Sequence, residues 1–175
     1  MLIFGHVAAA TVTCHALDRR ADLRVVIFLT LVADIVDKPL GLWVFKETIN
    51  NGRVWFHSIA FNLLVTLVLV LARKPGVYAL ALWLHQFCDR MWMRPWVALW
   101  PLTGRFGLRD LAFEDWVYGI FNPYNVVSDV VGLVLLAAFA WRYRLFRPAP
   151  LWAWARTGKL EEAELSKAGR PSPRG

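Results

Sequence analysis

The 175-residue sequence has few cysteines, few acidic groups and no internal repeat. Its two cysteines, Cys14 and Cys88, each sit inside an apolar helical stretch, which argues against a disulfide framework or a paired-cysteine zinc site and leaves both as packing residues. The N-terminal stretch MLIFGHVAAATVTCHAL has no basic residues ahead of its apolar run and no small-residue cleavage site leading to a soluble chain. It therefore reads as a short retained first helix, not as a cleaved signal. The missing repeat argues against a transporter built from paired halves. Asp and Glu number 13 against 20 Lys and Arg, for a net charge of +7. Most of that excess falls in short loops and the C-terminal tail, where membrane topology accounts for it, and no nucleic-acid partner is expected.

Apolar sequence is abundant: 58% of residues are hydrophobic, ten are tryptophan, and mean hydropathy is +0.43. That exceeds what a soluble domain carries and indicates an integral membrane protein. A spanning helix needs about 20 apolar residues, and residues 25 to 45, 54 to 72, 77 to 99 and 117 to 141 approach or meet that length, with 2 to 17 a shorter fifth. The breakers DRRADLR, KETINNGR, RKPG and TGRFGLRDLAFED separate them. The expected fold is all-α, a polytopic bundle of about five transmembrane helices over residues 1–146, followed by a largely disordered cytoplasmic tail, 147–175. Arg142, Arg144 and Arg147, directly after the last span, place the C-terminus on the cytoplasmic side and the N-terminus outside.

On this topology the buried ionisable groups share one depth. His6 lies near the outer start of the first span, Asp34 and Asp37 in the middle to outer half of the second, His57 at the outer start of the third, and His85 and Asp89 in the middle to outer half of the fourth. Asp34 and Asp37 are i and i+3, and His85 and Asp89 are i and i+4, so each pair projects from one helix face. Uncompensated charge in hydrocarbon costs a few kcal/mol, which a cation held between the groups offsets. Imidazole and carboxylate together suit zinc, manganese, iron or magnesium. Arg53, Arg90 and Arg94 lie near the same layer and suit an anionic head group. Asn122, Asn125 and Asp129 form a further polar face on the fifth span, expected either to support the site or simply to start and anchor that helix.

The order of these residues resembles a family of bacterial inner-membrane metal-dependent hydrolases, also described as LexA-binding. Members carry an early histidine in the first helix, matched by His6, and an aspartate pair in the second, matched by Asp34 and Asp37 in DIVD. The third-helix segment His-Arg-Gly-x-Thr-His-Ser corresponds to GRVWFHS, with Arg53, His57 and Ser58, and His-x-x-x-Asp in the fourth corresponds to His85 and Asp89. Gly52, Val54 and Phe56 replace that segment's first histidine, its glycine and its threonine. The resemblance implies a hydrolase of a phosphoester or lipid-linked substrate in the bacterial inner membrane. It further implies Asp34, His57, His85 and Asp89 as ligands of a divalent metal (zinc, manganese or magnesium), and Asp37 and His6 as a further ligand or general base. Arg53 and Arg90 then bind the substrate anion, and Ser58 supports the site.

Two other classes fit the same residues. Asp34, Asp37, His85 and Asp89 suit a proton or ion relay in a non-enzymatic membrane protein. Two of His6, His57 and His85 suit the axial positions of a haem.

Overall fold

The computed structural model describes residues 2–109 and 112–160, apart from the side chains of Phe113 and Trp116. Among them are eight α-helices and no strand: α1 (Ile3–Leu17), α2 (Leu23–Pro39), α3 (Ile59–Leu71), α4 (Gly76–Cys88), α5 (Pro95–Ala98), α6 (Phe113–Ile120), α7 (Pro123–Arg142) and α8 (Pro148–Thr157). The all-helical expectation holds, but the helix boundaries differ from five uninterrupted spans. Pro39 does not stop α2, which widens into a π turn over Leu40–Val44. Residues 45–58 fold as a loop, so α3 starts only at Ile59, where Ser58 accepts from the Phe61 N–H at 3.2 Å. Arg90 takes a left-handed backbone conformation (φ 54°) directly after α4 and ends it there. The expected fifth span divides at Asn122 and Pro123. The Asn122 side chain accepts from the Asn125 N–H at 3.0 Å and Pro123 opens α7 in a position where its missing N–H is harmless.

The helix α1 packs against α2, α4 and α7, α2 also packs against α4, and α3 lies on α4. Close approach of α1 to α7 depends on two glycines: a Cβ on Gly132 would stand 2.6 Å from the Gly5 backbone. The resulting bundle has two unlike ends. At one, Cys14 of α1, Leu23 and Val26 of α2, and Tyr78 and Ala81 of α4 form a buried apolar cluster. At the other, the same three helices bury His6, Asp34, Asp37, His85 and Asp89.

The expected tail does not begin at residue 147. The chain continues into α8, and Leu160 joins the apolar cluster at 1% exposure. Arg24 donates to the carbonyls of Ala155 and Arg156, each at 3.0 Å, and the Gly158 carbonyl accepts from the Leu23 N–H at 2.9 Å. Gly158 has φ 71°, and a Cβ there would overlap the Asp22 carboxylate. That carboxylate caps α2, and the Arg24 guanidinium beside it lowers its pKa below the usual range. Leu160, with Trp154 packed against the same cluster, brings this segment into the fold. Residues 161–175 of the expected tail lie outside the described residues.

Among the described residues one helix, α7, is long and apolar enough to cross a membrane; α1 and α3 are apolar but shorter. The outer faces of α3 and α7 are apolar and exposed, including Leu63, Leu64, Leu67 and Leu71 on the first and Val127, Val130, Val131 and Val134 on the second.

Candidate metal centre

Four side chains from separate parts of the chain meet at the polar end of the bundle. Asp34 from α2, His57 from the loop before α3, and His85 and Asp89 from the end of α4 are all buried, and each places one donor atom within 4.8 Å of every other. The Nε2 atoms of His57 and His85 face one another at 3.2 Å, Asp34 Oδ1 lies 3.5 Å from His57 Nε2, and Asp89 Oδ2 lies 3.7 Å from it.

The protonation of His57 follows from its partner. Asp37 Oδ2 accepts from His57 Nδ1 at 2.7 Å, from the Val54 N–H at 2.9 Å and from the His57 N–H at 3.1 Å, while Oδ1 accepts from the Phe56 N–H at 3.1 Å. A carboxylate taking four donors is an acceptor throughout, so the neutral His57 ring carries its hydrogen on Nδ1 and turns a bare Nε2 lone pair into the cluster. Asp34 Oδ1 is buried there without a hydrogen-bond partner. An unpaired carboxylate oxygen beside the His57 and His85 Nε2 atoms, which face one another, is costly in a dry interior unless a cation lies among them.

The donor set fits a divalent ion. Two nitrogens about 2.0–2.1 Å from one tetrahedral zinc stand roughly 3.4 Å apart, close to the separation of the two imidazoles. Charge points the same way. Three carboxylates, Asp34, Asp37 and Asp89, are buried here against two basic side chains: Lys38 Nζ donates to Asp34 Oδ2 at 2.6 Å, and Arg53 Nε donates to Asp89 Oδ2. With neutral imidazoles the set carries an excess negative charge that a divalent cation reverses.

The sequence-predicted residues separate into groups. Asp34, His57, His85 and Asp89 come together. His6 adjoins them, with Nε2 3.1 Å from Asp89 Oδ1 and its ring stacked on His85 at 4.2 Å, while its Nδ1 has no hydrogen-bond partner. Asp37, expected as a ligand or general base, is instead engaged by the loop it organises. Arg53, expected on substrate, is paired with Asp89. Arg90 stacks over the Tyr124 ring at 3.4 Å, and Tyr124 in turn donates to the Cys88 carbonyl at 2.6 Å. Ser58 caps α3. Asn122 caps α7, Asn125 donates to the Gly119 carbonyl at 2.7 Å, and Asp129 accepts from the Gly5 N–H at 2.9 Å. These three asparagine and aspartate side chains shape helix ends near the site. His6 and His85 are stacked ring on ring, an arrangement that does not suit those two as axial ligands on opposite faces of a porphyrin.

Gly52, where the resembling family has a histidine, lines a cavity of about 720 Å³ that opens beside Asp89. A Cβ at that position would meet Lys38 Cγ and Leu42 Cδ1, each at 3.3 Å. Sequence reasoning missed Lys38, the ion-pair partner of Asp34. The i, i+4 spacing from Asp34 was the available signal. Tyr124 carried no such signal, because its role depends on the fold of α7 against α4.

No protein-family model matches the chain, and no solved structure matches it. A stretch of 93 residues, 53% of the chain, is 32% identical to apolipoprotein N-acyltransferase of Pseudomonas putida (strain KT2440). The chain spans 17% of that relative's length. This partial similarity is what the comparisons show, and the LexA-binding resemblance rests on the motif residues alone.

Proposed function

We propose that the protein is a metal-dependent hydrolase embedded in the bacterial inner membrane, acting on a phosphoester or lipid-linked substrate. The observation that carries this reading is the convergence of Asp34, His57, His85 and Asp89, with Asp34 Oδ1 unpaired among them, beside a cavity able to admit a substrate. Two imidazoles and two carboxylates favour zinc or manganese over magnesium. When bound, such an ion supplies Lewis acidity, polarising a phosphoryl or carbonyl oxygen and making water a stronger acid.

The chain's own groups have distinct tasks in this proposal. Asp37 holds the His57 ring so that Nε2 faces the cluster, Lys38 neutralises the outer oxygen of Asp34, and Arg53 offsets the charge of Asp89. His6, whose Nδ1 is not engaged by its contact with Asp89, is the group assigned to accept a proton from attacking water. The exposed apolar faces of α3 and α7 support burial in lipid, with the N-terminus outside and the C-terminus cytoplasmic. The partial similarity to an N-acyltransferase agrees with an acyl- or lipid-linked substrate.

The test is hydrolysis of p-nitrophenyl phosphate and bis-p-nitrophenyl phosphate by detergent-purified protein loaded with zinc or manganese. Release of nitrophenol is expected to stop on chelation and to be lost in His57→Ala. Release that survives both treatments would sink the proposal.

A further inference from the structure

The cavity beside Asp89 carries more positive charge than the metal cluster uses. Lys38, Arg53, Arg90, Arg94 and Arg109 line it, against Asp89 and Asp115. Two of these cations have carboxylate partners, Lys38 on Asp34 and Arg53 on Asp89. The other three have no ion pair with a carboxylate among the described residues. They are nonetheless placed: Arg90 by the Tyr124 ring, and Arg109 by backbone bonds, its N–H donating to the Ile49 carbonyl at 3.0 Å and its carbonyl accepting from Asn50 at 3.1 Å. Arg94 lies within electrostatic reach of Arg53 and Arg109, and of Asp89. Asp89 and Asp115 offset only part of the positive charge that lines the cavity, and a phosphate matches the forked donors of the remaining guanidinium groups.

The rest of the lining is mixed: Asn51, Asn122 and Asn125 contribute polar groups, and Leu42, Met93, Trp96 and Ile120 form an apolar part. Met93 and Trp96 are exposed, at 62% and 58%. A ligand suited to this cavity therefore combines a phosphate with a hydrocarbon portion.

We propose that Arg90, Arg94 and Arg109 form a subsite for the phosphate of a phosphorylated lipid, whose hydrocarbon chain leaves past Met93 and Trp96. This names the substrate class for the hydrolase proposed above and rests on that reading for its chemistry, while the binding it describes can be measured without turnover. Arg53 shares the cavity but serves Asp89, so the anion-binding role moves from Arg53 to Arg94 and Arg109.

The experiment measures binding of phosphatidic acid, diacylglycerol and inorganic phosphate to the full chain in detergent micelles, by quenching of tryptophan fluorescence. The wild type should bind phosphatidic acid more tightly than either other probe. The double variant Arg94→Gln/Arg109→Gln should bind it more weakly by about tenfold per arginine removed, with the metal content of the wild type retained as evidence of an intact fold. Arg94→Lys/Arg109→Lys, which keeps the charge and loses the fork, should fall between the two. Unchanged affinity in the glutamine double variant, or no preference for phosphatidic acid over diacylglycerol, would overturn the subsite. Equal affinity for inorganic phosphate would overturn the lipid assignment. Arginine-dependent lipid binding by a wild type that takes up no metal would instead sink the metal reading and leave this one standing.

Discussion

Asp37 illustrates how a residue can be prominent in the sequence for one reason and important in the fold for another. Its spacing from Asp34 places both carboxylates on one face of α2, which suggests two ligands. The structure gives Asp37 three backbone N–H donors from residues 54 to 57 and the His57 ring as well, so it gathers the loop and aims the imidazole. That loop has no helical or strand periodicity to read, and its return onto α2 was therefore not legible from the sequence. Asp37→Asn replaces one acceptor oxygen with an NH₂ that faces donors. Metal affinity, titrated with zinc on the apoprotein, is expected to fall about 10–100-fold, as for other groups that orient a ligating histidine. Undiminished affinity would show that His57 is oriented by something else. Asp34, His85 and Asp89 were, by contrast, legible, because i, i+3 and i, i+4 spacings fix faces within a helix and the burial of charge in apolar stretches demands a partner, whereas His57 was marked by the motif resemblance.

At the scale of the elements, apolar runs located the helices and missed where they stop. The run from 117 to 141 is interrupted by an asparagine cap and a proline, and the run from 77 to 99 by the left-handed Arg90, features that hydropathy averages away. The contact between α1 and α7 was invisible for a different reason, since nothing in either helix announces that Gly5 and Gly132 face each other. Gly132→Val would drive a branched side chain into the α1 backbone next to His6. Overpacking of this kind costs typically about 1–3 kcal/mol. Thermal unfolding in detergent should occur at a lower temperature than in the wild type. An unchanged midpoint would mean that α1 and α7 do not pack through these glycines.

The whole molecule is a helical bundle with an apolar end sealed by α8 and Leu160 and a polar end built around six buried ionisable or imidazole groups. The all-helical class was legible in the sequence, whereas the inclusion of residues 148 to 160 was not, because that apolar segment is too short for a span and stands between Arg147 and a polar terminus. What unites the polar end is the cation we assign to it. Metal content of the detergent-purified chain after reconstitution with zinc or manganese, measured by elemental analysis beside Asp34→Ala and His85→Ala, tests that assignment most directly. The account predicts near-stoichiometric metal in the wild type and its loss in both variants. A wild type that retains no metal, or variants that retain as much as it does, would contradict it.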